Sequence, residues 1–428
     1  MRLSPAAVEN TLADPANSDA TPIVTLRTLL GAKGLESTGL EGVQSPDQKQ
    51  YADRYNRVIE KLEDETTKTS ANVLITTQDR DASLLQSHIA EEGAAGPPLE
   101  AGGLEAQFGE GAGGGDVWGW IRSLFDHIDQ TQWHPIVRPP DDSIGTFADS
   151  GRVAVLGDWG TNLYGAPVSA ASIKRAGGYE LLLHLGDIYY SGTEKETQQR
   201  FLAGWPAEAG KVSRALNGNH EMYSGGFAYF DHVLPQFKQT SSYFALQNAH
   251  WLMIALDTAH SDHTIDSLQA QWLKSVVQKA GDRKVILFSH HQPFSRLDQQ
   301  GPDLQAALAG LPPITAWYWG HEHDCIIYDK HPKFGLGRCI GHGGIPSPRK
   351  SQVLNAPVDR SLNGISWKRL SATADAPSSL VLDGRNPLIK GEEDKFGPHG
   401  YLTLEFAGPN LIERVHLPDG SEIYKAPV

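Results

Sequence analysis

From Arg152 onward the chain alternates short apolar runs with stretches whose apolar residues recur every three or four positions. The runs Val153–Leu156, Glu180–Leu185, Val212–Leu216, Trp251–Leu256, Val285–Phe288 and Ile314–Trp319 are strand-length and end in polar or Gly-rich turns, so they predict strands. Between them, Thr193 and Glu196 form a capping box that opens a helix toward Trp205. Ile265, Leu268, Trp272, Leu273, Val276 and Val277 fall on one face of a second helix, which ends toward Gly281. Strands alternating with helices predict an α/β sandwich. Tyr401–Phe406 and Leu411–Leu417, with the turn Pro418-Asp419-Gly420, predict antiparallel strands that close one layer.

Two regions depart from this rhythm. Residues 1–150 form an extension with helices expected around Val24–Leu30 and Gln48–Glu65. From about Glu91 to Gly115 it becomes rich in Gly, Ala and Glu, with Pro97-Pro98, the composition of a linker. Asp116 then stands as an N-cap before Val117, Trp118, Ile121, Leu124, Phe125 and Ile128, one apolar face that predicts a helix docked on the core. The second region runs from Gly343-Gly344 to about Gly397 and reads as irregular. There Arg349, Lys350, Arg360, Lys368 and Arg369 face only Asp359 between Arg349 and Arg369, which makes a cationic flap or a solvated loop.

At 428 residues, 39% hydrophobic and 21% charged, the chain has the composition of a globular protein with a sizeable core. The formal charge of −14 argues against a general nucleic-acid surface, because binding along a phosphate backbone depends on Lys and Arg. A small phosphorylated substrate would instead need local positive charge, which metal ions supply. No run of eighteen apolar residues occurs and the first twenty residues lack a secretory apolar core, so a cytoplasmic protein with no membrane span is expected. Cys325 and Cys339 are the only cysteines and read as two buried thiols, with a single bridge between them as the alternative. Nothing in residues 1–150 specifies a protein partner, though the extension could bind one or cover a site.

The chemistry lies where the apolar runs end. Gly157-Asp158-Trp159-Gly160, Gly186-Asp187-Ile188-Tyr189-Tyr190, Gly218-Asn219-His220-Glu221, Ser289-His290-His291 and Gly320-His321-Glu322-His323-Asp324 follow five of the expected strands. In open α/β sheets ligand sites gather beyond the carboxyl ends of strands. Asp187 is the candidate bridge between two cations, Asp158 adds an anionic oxygen, and Asn219 a neutral amide oxygen. His290, His321 and His323 complete the set, the i, i+2 spacing of the last pair letting each imidazole reach a different metal. His291 is the alternative to His290 as ligand, and His342 in Gly341-His342-Gly343-Gly344 is a further candidate for substrate contact.

The order Gly-Asp, Gly-Asp, Gly-Asn-His-Glu, His, Gly-His-x-His resembles the calcineurin-like metallophosphoesterase superfamily over roughly Arg152 to Gly344. That resemblance implies a four-layer α/β/β/α sandwich at residues 151–428 and hydrolysis of phosphoric mono- or diesters by a hydroxide held between two metals. The first motif lacks the usual Asp-x-His histidine, a departure shared with the purple acid phosphatase branch, where a tyrosine three residues after the bridging aspartate takes its place. The branch resemblance implies one metal held by Asp158, Asp187, Tyr190 and His323, and the other by Asp187, Asn219, His290 and His321. Tyr189 would then face away. A phenolate favours a hard trivalent ion, so Fe(III) with Zn, Mn or Fe(II) is the implied pair. His220 is carried over as the residue that contacts the transferred phosphoryl group or protonates the leaving oxygen, with Glu221 orienting its ring or forming a surface ion pair. The metallo-β-lactamase pattern is excluded, since Asp324-Cys325-Ile326 follows His323. A non-enzymatic scaffold on the same fold is the alternative, although the ligand set and His220 are intact.

Overall fold

The computed structural model describes residues 2–13, 46–68, 73–74, 76–94, 117–298, 302–362 and 364–428. In chain order its strands are β1 (Gly145–Thr146), β2 (Ser150–Leu156), β3 (Tyr179–His184), β4 (Gly210–Ala215), β5 (Phe244–Gln247), β6 (Trp251–Ala255), β7 (Lys284–Ser289) and β8 (Ala316–Trp319). They continue with β9 (Cys325–His331), β10 (Gly335–Ile340), β11 (Val358–Leu362), β12 (Ile365–Leu370), β13 (Ser379–Gly384), β14 (Tyr401–Ala407), β15 (Asn410–His416) and β16 (Glu422–Pro427). Two sheets result, one ordered β1-β5-β6-β7-β8-β10-β9-β13-β12-β11 and the other β16-β15-β14-β2-β3-β4. Each contains a parallel run, β6-β7-β8 in one and β2-β3-β4 in the other.

The period of two along each strand sorts side chains into layers. Val153, Val155, Leu181, Leu183, Met253, Ile286, Phe288, Leu402 and Leu404 meet in one buried cluster between the sheets. The alternate positions Leu252, Ile254, Leu287, Trp317 and Trp319 turn outward and pack with Leu273, Val276 and Val277 of the helix Ser267–Gln278. On the other side Ala154, Leu156 and Leu182 meet Ala170 and Ile173 of the helix Gly165–Ala176. Helix, sheet, sheet and helix therefore stack as a four-layer α/β/β/α sandwich, as expected. Across the inner layer the buried Arg338 of β10 pairs with Glu413 of β15 at 2.7 Å, and Tyr318 Oη donates to Glu413 at 3.0 Å.

The helices start where their caps dictate. Asp266 accepts from the N–H groups of Leu268 and Gln269, both at 2.9 Å, so the second helix begins at Ser267 and leaves Leu268 54% exposed instead of on the apolar face. The Thr193–Glu196 capping box is present, but the helix it opens is one turn, Glu194–Glu196, that widens to π-helical spacing over Thr197–Leu202 and stops short of Trp205.

The stretch after Gly344 is not irregular. It supplies β11, β12 and β13, which extend the larger sheet beyond β9. Nor is it a cationic flap: Arg349 pairs with Asp383 at 2.7 Å, Lys350 with Asp324 at 2.5 Å, and Arg369 with Asp359 at 3.2 Å, while Lys368 donates to the carbonyls of Leu354 and Ala356. Arg360 lies over the Tyr424 ring.

In the extension, the helices Pro46–Lys68, Arg80–Ala94 and Val117–Gln130 pack together through buried Tyr55, Val58, Leu62, Leu85, Phe125 and Ile128. Arg54 ties them, reaching Asp81 at 2.7 Å and Asp129 at 2.9 Å. The expected helix at Val24–Leu30 and the cap at Asp116 lie outside the described residues, as does the expected linker beyond residue 94; its first residues, 91–94, end the helix Arg80–Ala94. Cys325 and Cys339 are free and buried, and burial raises both thiols well above their ordinary pKa.

Candidate metal centre

Each chemistry-bearing residue sits just beyond the carboxyl end of a parallel strand. Asp158 follows β2, Asp187 follows β3, Asn219 and His220 follow β4, His290 and His291 follow β7, and His321 and His323 follow β8. To turn inward there the backbone adopts positive φ at Asp158 (55°), Asp187 (76°), His321 (68°) and His323 (53°), conformations that non-Gly residues seldom take. Close approach of the loops requires the glycines beside them: a Cβ on Gly218 would lie 2.0 Å from Asp187 Oδ1, and Gly186 has φ +102°.

Two donor sets result, joined by one carboxylate. Asn219 Oδ1 is 3.0 Å from His290 Nε2 and 3.0 Å from His321 Nδ1, and His290 Nε2 is 3.3 Å from Asp187 Oδ1. The other oxygen, Asp187 Oδ2, is 3.0 Å from Tyr189 Oη, which in turn lies 2.9 Å from Asp158 Oδ1 and 2.9 Å from His323 Nε2. The ligand atoms of Asp187, His290 and His321 all fall within 4.8 Å of one another, as do those of Asp158, Asp187 and His323.

The electrostatics suit cations. Burial and the neighbouring Asp187 charge raise the Asp158 carboxyl well above the carboxylate range. Burial works the same way on Asp187, but His290, His220, His321 and His323 outweigh it and hold this carboxyl low. Burial depresses His321 well below its ordinary value and His323 to about 4, so both are neutral imidazoles with lone pairs to give. Among the described residues no Lys or Arg pairs with Asp158 or Asp187; the basic side chains beside them are His220, His290 and His323. Buried carboxylates, a neutral amide oxygen and neutral imidazoles fit a pair of divalent or trivalent ions.

The expectations for the two tyrosines and for Glu221 are corrected. The tyrosine brought to the cluster is Tyr189, whereas Tyr190, expected there, turns its ring under Arg200 at 4.7 Å. Glu221 neither orients His220 nor pairs at the surface. It is fully buried and accepts from the N–H groups of Asp187 and Ile188 at 3.1 Å, which holds the Asp187 turn. The His220 ring is oriented by the carbonyl of Tyr190 at its Nδ1, leaving Nε2 without a hydrogen-bond partner and 3.9 Å from Asp187 Oδ2. His342 is buried with both ring nitrogens unpartnered, and it lies against Gly400, not in the donor sets.

The structure places His290, not His291, against Asn219 and Asp187. His291 bonds Thr258 Oγ1 through Nδ1 at 3.1 Å and groups instead with His321 and His263, its Nε2 unpartnered. The reading of the sequence missed His263, which lies in a loop with no motif and whose ring centre is 3.8 Å from that of His291. It also missed Gln78 and Tyr223, which bond the Asn219 amide at 2.7 and 2.8 Å. Tyr223 had a legible signal, its i+4 spacing from Asn219 on the helix Asn219–Tyr223. Gln78 had none.

Residues 151–325, which hold every residue of the two donor sets, match the family model described as calcineurin-like phosphoesterase. Similar solved structures include GAP50, the anchor in the inner membrane complex of Plasmodium, at 12% identity and TM-score 0.46, covering 65% of this chain and 88% of that one. A cold-active protein-tyrosine phosphatase of a psychrophilic Shewanella is 13% identical with TM-score 0.30, covering 67% and 84%. A Vps29 single mutant from Entamoeba histolytica is 11% identical with TM-score 0.28, covering 65% and 98%. No curated protein matches the sequence. No helix among the described residues is long and apolar enough to cross a membrane.

Proposed function

We propose that this protein is a dinuclear metal-dependent phosphoric ester hydrolase acting on a small phosphorylated substrate. The observation that carries the reading is Asp187, whose two carboxylate oxygens face separate donor sets, Asn219, His290 and His321 on one side and Asp158, Tyr189 and His323 on the other. A metal pair bound there supplies positive charge to the phosphoryl oxygens and makes a water nucleophilic near neutral pH.

The chain's own residues do the rest. His220, held at Nδ1 by the Tyr190 carbonyl, presents its unpartnered Nε2 beside the centre. A phosphate dianion next to it favours the imidazolium form, which can donate to a phosphoryl oxygen or to the leaving oxygen. His263 and His291 stand on the His321 side as further contacts for the ester. Glu221 keeps Asp187 in its turn.

Within this reading, the phenol of Tyr189 among Asp158, Asp187 and His323 supports a purple acid phosphatase-like site with Fe(III) in that set and Zn, Mn or Fe(II) in the other. The test is hydrolysis of p-nitrophenyl phosphate and bis(p-nitrophenyl) phosphate by wild type and His220→Ala, with and without a chelator. The reading expects chelator-sensitive turnover of at least one ester, and a loss of about 100-fold or more in His220→Ala with both metals retained. A metal-free, inactive but folded wild type would instead favour the non-catalytic scaffold.

A further inference from the structure

The N-terminal extension hydrogen-bonds the Asn219 side chain through Gln78. Asn219 Nδ2 donates to Gln78 Oε1 at 2.7 Å and to Tyr223 Oη at 2.8 Å, while Tyr223 Oη donates to the carbonyl of Gln78 at 2.8 Å. A primary amide has two N–H donors and one oxygen on opposite sides. With both donors engaged on the side away from the histidines, the oxygen must face His290 and His321, and it lies 3.0 Å from each. Rotating the amide by half a turn would set Asn219 Oδ1 against Gln78 Oε1, two acceptors without a proton between them, and would offer N–H groups where a cation needs a lone pair.

Gln78 itself is exposed, so its place is set by its neighbours in the chain. On one side Val73 packs with Ile389 and Phe396, Leu74 packs with Tyr189 and Ile345, and the Leu74 N–H donates to Tyr164 Oη at 3.0 Å. On the other, Arg80 donates to the carbonyl of Tyr223 at 3.0 Å and to that of Ile128 at 3.1 Å. Further along the helix Arg80–Ala94, Ser87 donates to Glu196 at 3.0 Å, and Glu196 accepts from the N–H groups of Tyr190 and Ser191 just beyond Asp187. The extension thus grips both the Asn219 and the Asp187 loops.

We infer that Gln78 is a positioning residue: it fixes the amide of Asn219 so that Oδ1 serves the ion held with Asp187, His290 and His321, which makes the extension a component of the metal centre. This rests on the dinuclear reading above. It predicts a selective effect, because Asn219 touches only one of the two donor sets.

The experiment uses the full chain, stripped of metal and titrated with Mn2+ alone by calorimetry, with electron paramagnetic resonance to follow the coupled pair. Wild type binds two ions. In Gln78→Leu one of the two weakens by about 10- to 100-fold, the usual cost of losing a partner behind a ligand, while the other holds its affinity. Gln78→Glu restores both, since a carboxylate oxygen accepts the same N–H. Equal affinities in wild type and Gln78→Leu would overturn the inference alone, as would parallel weakening of both ions or an equal loss in Gln78→Glu. A folded wild type that binds no Mn2+ would overturn the dinuclear reading, and this inference with it.

Discussion

Replacing Glu221 tests whether the geometry of Asp187 is imposed by its surroundings. The side chain is fully buried, and its carboxyl accepts from the N–H of Asp187 through both oxygens and from that of Ile188 through Oε2, all at 3.1 Å. Those two N–H groups point away from the strand ladder, because Asp187 turns at φ +76° and leaves β3 behind. In Glu221→Ala both are stranded in a dry interior. Each unpaired buried donor costs about 1–3 kcal/mol, so the variant should lose about 2–6 kcal/mol of stability. Whether Glu221 is ionised does not change this sum, which counts the stranded donors and not the charge of the acceptor. Glu221→Gln keeps one carbonyl oxygen and should lose about half as much. Urea unfolding followed by Trp fluorescence measures the loss, and the same samples titrated with Mn2+ should show both ions weakened, since Asp187 serves both donor sets. A Glu221→Ala protein within about 0.5 kcal/mol of wild type, binding both ions normally, would refute the idea that this carboxyl braces the turn.

Two further outcomes follow. Burial holds His399 at about 4, with Nδ1 accepting from the Gly165 N–H and Nε2 donating to the Ile345 carbonyl; the unfolded chain protonates the same ring near 6.5, so stability is unaffected above that pH and falls between about 6.5 and about 4, by about 3 kcal/mol for this residue. His399→Asn should flatten the pH profile of urea unfolding across that window, and an unchanged slope would count against it. Second, iron-loaded Tyr189→Phe should lose any tyrosinate-to-Fe(III) absorption band that wild type shows while Tyr190→Phe keeps it; the reverse would restore Tyr190 to the site.

The sandwich was legible because β2, β3, β6, β7 and β8 carry continuous apolar runs buried on both faces, and such runs have few other places to go. The cluster was legible because its donors occupy the turns that end those runs, where topology alone brings them together. What could not be read depends on where side chains point. Tyr189 and Tyr190 are adjacent, and spacing from Asp187 could not decide which ring enters the cluster. Glu221 looks like a helix-start carboxylate in sequence, and only the approach of the Asp187 loop makes it an internal cap. The strands β11 to β13 were hidden by their exposed partners: every residue of β11 is exposed, and the cations there serve local ion pairs. Gln78 lies 141 residues from Asn219 in the chain, with no periodicity or motif to connect them.

The central claim is that two ions share Asp187. Elemental analysis of the purified full chain, wild type beside Asp187→Ala, tests it most directly. The account predicts two transition-metal ions per wild-type chain and neither in the variant. A folded wild type with no bound metal, or an Asp187→Ala protein that keeps both ions, would contradict it.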